Sequence, residues 1–184
     1  MTANEKKTDL RILKTRNAII NAFITLRAKK ALDKITVKEL ADLAMINKAT
    51  FYLHYKDIYD LSDTLENDAL EQVIKDMPDP ELLIFNPEQG TKDLFQAFAT
   101  QGQLFTILFS GDRFDIFVRK IDCMIKEYIY KKYPEKRADL QTNILLSIIT
   151  YGGFHAYENY KKENGEEAVL VIAKASSELA KLMY

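Results

Sequence analysis

The sequence predicts an all-α fold, with a small N-terminal unit over residues 1–60 joined by a long helix to a larger helical body over 61–184. Three observations carry that expectation. Almost every segment repeats its apolar residues at helical spacing. Six glycines and four prolines in 184 residues leave little room for a turn-rich β-fold. Charge also divides the chain: residues 1–60 hold 12 Lys/Arg against 7 Asp/Glu, and 61–184 hold 14 against 20. The net charge of −1 therefore hides a basic module on an acidic body.

The elements follow in order. Thr8 or Asp9 can cap a first helix over roughly 10–30, on which Ile12, Arg16, Ile19, Ile20, Phe23 and Leu26 repeat at helical spacing. Thr36-Val37-Lys38-Glu39 is a capping box: the Thr36 hydroxyl accepts from the Glu39 N–H, and the Glu39 carboxylate can reach back. Val37, Leu40, Ala41 and Ala44 then give one apolar face of a two-turn helix. That period breaks at Met45-Ile46, and Asn47 is placed to cap a second short helix. Asp57 caps a longer helix striped by Leu61, Leu65, Ala69 and Val73. Residues 77–90 hold three of the four prolines and form the best internal break. Helices are expected beyond it at 91–109, 113–133, 135–162 and 166–183, punctuated by Gly111, Pro134 and Gly165.

The most informative stretch runs from Thr36 to Tyr55. Two helices of about eight residues joined by a short turn form a helix-turn-helix, whose second helix fits the major groove of DNA. Leu40, Ala41, Ile46 and Phe51 would face inward, leaving Asn47, Lys48, Thr50, Tyr52 and His54 outside. Taken singly, that tyrosine, histidine and lysine are ordinary surface residues. Their joint spacing after a capping box is what points to DNA.

The run ITVKELADLAMINKATFYLHYKDIYDL resembles the helix-turn-helix of the TetR/AcrR family of transcriptional regulators, over roughly residues 10–65. NKATFYLHYKD is its most specific part. The resemblance implies a homodimer that binds double-stranded operator DNA and a C-terminal domain that dimerises and holds a small-molecule effector, commonly as a repressor. It assigns Thr36 to a phosphate at the start of the second helix, and Asn47, Lys48, Ala49 and Thr50 to the groove-facing start of the recognition helix. Tyr52, His54 and Lys56 match backbone-contacting positions. Lys48 can donate to a guanine or a phosphate, and the Ala49 methyl can meet a thymine methyl. Three residues depart from the family pattern. Met45 replaces a turn glycine, so the turn must avoid positive φ or carry strain. Leu53 and Ile58 replace residues that often contact the backbone.

In the body, Leu145, Ile149, Gly152, Ala156 and Tyr160 form one stripe, and Ile144, Ile148, Tyr151 and His155 an adjacent one. Apolar surface on two sides of a helix implies burial on two sides, by the domain core and by a partner subunit. Gly152-Gly153 in mid-helix costs about 1 kcal/mol each relative to alanine, which close approach at a dimer interface would justify. Val169, Ile172, Ala173, Ser176, Leu179, Ala180 and Met183 stripe the last helix. Two helices per subunit would build a four-helix interface. An apolar or aromatic effector could be lined by Phe105, Phe109 and Phe117 with Tyr128, Tyr151 and His155, although aromatics at this spacing usually form plain core.

Other classes have little support. One cysteine and two histidines give no metal-ligand spacing, and no phosphate-loop, dinucleotide or nucleophile-elbow motif occurs. The reading is of a protein that is not an enzyme and needs no cofactor. No apolar run is long enough for a membrane span, and a lone cysteine suits a reducing compartment, so a cytoplasmic, nucleoid-associated location is expected. The alternative is a helix-turn-helix protein whose body binds a protein partner, as activator or anchor, without a small ligand.

Overall fold

A computed structural model describes residues 3–183, with backbone only for 3–9 and for residue 112. All regular structure among the described residues is helical. Among the described residues the helical spans are, in order, α1 (Ala3–Arg27), α2 (Val37–Leu43), α3 (Lys48–Tyr52), α4 (Ile58–Asp76), α5 (Leu82–Phe85), α6 (Pro87–Thr100), α7 (Gly102–Leu108), α8 (Phe114–Lys132) and α9 (Leu140–Ala180). Short 3-10 turns occur at Leu32–Lys34, Gly111–Arg113, Pro134–Ala138 and Lys181–Met183. The contacts divide the chain into two compact units, one of residues 1–66 with 103–108, the other of 67–102 with 109–184. The boundary expected at residue 60 lies inside α4.

In the first unit, α1 packs on α2 and α2 on α3. Ile19, Phe23 and Leu26 of α1 are buried together with Leu32, Ile35, Leu40, Ala41, Phe51, Tyr55 and Leu61. Arg16 Nε donates to the Tyr55 hydroxyl at 3.3 Å, which ties α1 to the chain just after α3. The helix runs further toward the N-terminus than its periodicity suggested. It begins at Ala3, so Thr8 and Asp9 lie within it and do not cap it. Ile12, expected on the inner stripe, is 49% exposed. Asp57 does cap α4: its Oδ1 accepts from the Asp60 N–H at 2.8 Å.

In the second unit, α5 packs on α6, and α6 and α8 both pack on α9. The helix expected over 91–109 is two helices, broken where Gly102 takes φ +66°. The proline-rich break is itself partly helical. Pro87 opens α6 at a position whose N–H would have no helical partner anyway, and Asn86 Oδ1 caps it by accepting from the Gln89 N–H at 3.3 Å. Gly90 carries the close approach of α5: a Cβ there would lie 2.4 Å from Leu83 N. The two C-terminal helices expected here are both present. The span labelled α9 is broken at Asn164, whose φ −138° and ψ 39° are non-helical, one residue before the glycine expected to separate them. Its two halves fold back on each other, Gly153 meeting Ile172.

Candidate functional site

The segment from Thr36 to Tyr55 is built from two caps and a strained turn. Thr36 Oγ1 accepts from the Glu39 N–H at 3.2 Å, which satisfies one donor of the first turn of α2. The reciprocal half of the capping box is absent, because the Glu39 carboxylate pairs with the Lys30 ammonium instead. Between the helices Met45 stands at φ +54°, the left-handed region that favours glycine. Its side chain is 92% exposed, so no packing compensates the strain locally. The turn closes as Met45 N–H donates to Asp42 O at 3.2 Å and Ile46 N–H to Ala41 O at 3.0 Å.

Asn47 caps α3. Its Oδ1 accepts from the Thr50 N–H at 2.7 Å and from the Thr50 hydroxyl at 2.9 Å. Phe51 anchors the helix, fully buried, with its ring edge-on to Tyr52 at 5.6 Å and tilted against Tyr55 at 5.9 Å. Around that anchor Lys48, Ala49, Tyr52, Leu53 and Lys56 are exposed, while Thr50 and His54 are half-buried. The cap occupies the Asn47 carbonyl oxygen and the Thr50 hydroxyl proton, which leaves the Asn47 amide N–H groups and the Lys48 ammonium as donors at the start of α3. The His54 ring leans on Tyr55 at 6.3 Å. Thr36 is exposed one helix earlier. The arrangement offers two cations, a phenol and a small residue on one short helix and its exit.

The second unit encloses a cavity of about 170 Å³. Leu83, Ile84 and Phe85 of α5 line it, with Thr91, Leu94 and Phe95 of α6, Ile125 and Ile129 of α8, and Leu146, Thr150, Phe154 and Ile172 of α9. None of the six residues expected around an effector is among them. Phe109 and Phe117 are buried core, their rings 5.1 Å apart. Phe105 lies on α7 and belongs to the first unit. Tyr128 is half-buried on α8. Tyr151 and His155 are exposed on α9, where His155 Nε2 lies 3.5 Å from Asp115 Oδ1. The aromatic spacing that suggested a pocket is the spacing of packed core. The wall of this cavity carries a different sequence signal: Thr91 and Thr150 interrupt otherwise apolar stripes, Leu94-Phe95 on α6 and Leu146-Phe154 on α9.

The residues expected at a dimer interface divide in two. Leu145, Ile172, Ala173, Ser176 and Ala180 are buried within the chain, and Ile149 and Gly153 line the cavity. A Cβ on Gly153 would lie 3.1 Å from Ile172 Cγ2, so the close approach that this glycine allows is between the two halves of α9 on either side of Asn164, within one chain. Ala156 and Leu179 are half-buried, and Gly152 and Tyr160 are exposed. The adjacent stripe, Ile144, Ile148, Tyr151 and His155, is exposed, and Leu140 one turn before it is exposed as well. Among the described residues no group of acidic, histidine or cysteine side chains could hold a metal ion, and no helix is long and apolar enough to cross a membrane. No protein-family model matches the chain, and no curated protein is significantly similar to it.

Proposed function

We propose that this chain is a transcriptional regulator of TetR/AcrR type, which binds operator DNA as a homodimer through α2 and α3 and responds to a small effector held in its second unit. The observation that carries the reading is α3 itself. Its N-terminus is capped by Asn47, Phe51 alone roots it in the core, and Lys48, Ala49 and Tyr52 are left outside with Lys56 just beyond. A helix in that state can enter the major groove without unfolding anything around it. On this reading Lys48 reaches a guanine edge or a phosphate, and Tyr52 and Lys56 meet the backbone. The basic balance of residues 1–60 suits the same partner.

The homodimer would form through the face that α9 leaves uncovered, Leu140, Ile144, Ile148 and Tyr151, with Gly152, whose Cβ position is open, allowing close approach. The cavity favours a small effector over a purely protein-binding body. Selection of bound duplexes from a random-sequence pool, followed by titration of the enriched sequence, tests the function. Enrichment of a two-fold symmetric site, with half-site centres about 34–36 Å apart or a multiple of that, is the expected result. A pool that stays random would remove the proposal.

A further inference from the structure

Thr91 on α6 and Thr150 on α9 are only 6% and 5% exposed, and both stand on the cavity wall. Neither hydroxyl has a hydrogen-bond partner among the described residues. Helical threonines commonly return their hydroxyl to the carbonyl four residues back, as Thr15, Thr25 and Thr64 do here. The other two aliphatic hydroxyls on the wall, which also includes the phenol of Tyr133, are engaged: Ser176 Oγ donates to Ile172 O at 2.9 Å, and the Thr142 hydroxyl donates to Asp139. Neither threonine oxygen is among the sealed, unsatisfied side-chain atoms of the chain, so two free hydroxyls keep access to the cavity and are available to the polar group of a bound molecule.

Size and charge narrow what that group belongs to. The cavity of about 170 Å³ is close to the roughly 150 Å³ that admits a benzene-sized molecule. Its lining extends along the first half of α9 from Thr142 to Phe154, about 18 Å of helix, so the space is long for its volume. Apart from the hydroxyls the wall is almost wholly hydrocarbon. The one formally charged lining residue among those described is Lys136, whose ammonium already donates to the Met183 carbonyl at 3.4 Å and lies 3.9 Å from Asp139 Oδ2. A carboxylate buried beside Thr91 and Thr150 would lack a cation, and an unpaired buried charge is strongly disfavoured.

We propose that the cavity binds a slender, uncharged amphiphile, a medium-chain alcohol or carbonyl compound, whose polar end hydrogen-bonds with Thr91 and Thr150. This deepens the effector half of the function proposed above and rests on that reading for its consequence in gene control. Its test contains no DNA, so failure of either leaves the other standing.

The experiment titrates the full chain calorimetrically with 1-octanol and with octanoate, and follows thermal unfolding with each. Saturable binding of one 1-octanol per chain with a raised Tm is expected, and at least tenfold weaker binding of octanoate. Thr91→Val and Thr150→Val keep the side-chain volume and remove the hydroxyl. Each should weaken 1-octanol roughly three- to tenfold, with the Tm of the free protein unchanged or higher. Thr150→Ser, which keeps the hydroxyl, should retain binding. Ser176→Leu should fill the space and abolish it; should that variant not fold, the valine variants still decide. No saturable binding of 1-octanol, equal binding of octanoate, or valine variants that bind as tightly as the parent would each overturn the proposal.

Discussion

Met45 is where a single residue most plainly departs from what its position asks. At φ +54° an L-residue costs about 1–2 kcal/mol, and a side chain 92% exposed returns almost nothing by burial. Met45→Gly should therefore stabilise the chain by about 1 kcal/mol after glycine's larger loss of backbone entropy is set against the relief. Chemical denaturation with constant m measures it, and an unchanged or lower midpoint would show that the turn carries no strain. The neighbouring helix yields a second test at this scale. Tyr52→Phe should weaken specific and nonspecific DNA alike, because phosphate contacts carry no sequence information directly. Lys48→Ala should instead cost about 1–3 kcal/mol at one operator position and relax preference there, if Lys48 meets a guanine. Binding of both variants to an operator and its single-base changes separates the roles. A uniform loss for Lys48→Ala would make Lys48 a phosphate anchor.

At the scale of elements, the caps decide where helices begin. Removing the hydroxyl of Thr36 leaves the Glu39 N–H without its acceptor, and Thr36→Ala should cost about 1 kcal/mol, read by thermal unfolding. The N-terminus of α9 adds a pH dependence. The Thr142 hydroxyl bonded to Asp139 holds its carboxyl below the ordinary aspartate range, opposed by some burial and helped by backbone N–H groups and Lys136. A depressed carboxyl stabilises the fold above the unfolded-state value, and the contribution is lost as pH falls through the depressed one. Asp139→Asn should therefore flatten the acid limb of the stability profile while keeping a capping oxygen. A variant whose acid limb matches the parent's would contradict this.

For the whole molecule, the prediction concerns association and charge. If the uncovered face of α9 joins two copies, Ile148→Asp buries a charge against its symmetry mate and should yield monomers by sedimentation. Ala156→Asp, on the adjacent half-buried stripe, makes a useful contrast; loss of the dimer there alone would move the interface. Operator affinity of the dimer should fall with salt at a log–log slope of about −0.9 per phosphate contacted. An affinity insensitive to salt would argue against the basic unit as the DNA-facing one.

Apart from the early start of α1, the short α5 and the break at Gly102, the sequence by itself determined that the chain is helical, where most of its helices lie, and the capped pair from Thr36 to Tyr55. Those depend on interactions over three or four residues: apolar spacing, an Asn47 or Thr36 oxygen near a free N–H, a proline with no donor to lose. The same locality made Asn47, Lys48 and Tyr52 legible as exposed, while Thr50 and His54, expected outside with them, are half-buried. Which apolar stripe of α9 faces inward was decided only by the tertiary structure. Both stripes are hydrophobic, and the packing of α6 and α8 against one of them buries Leu145 and Leu146 while leaving Ile144 and Ile148 outside. The cavity was hidden for the same reason. A void is what several helices fail to fill together, and no local pattern records that Leu83, Thr91, Ile125 and Thr150, spread over 68 positions of chain, end on one wall.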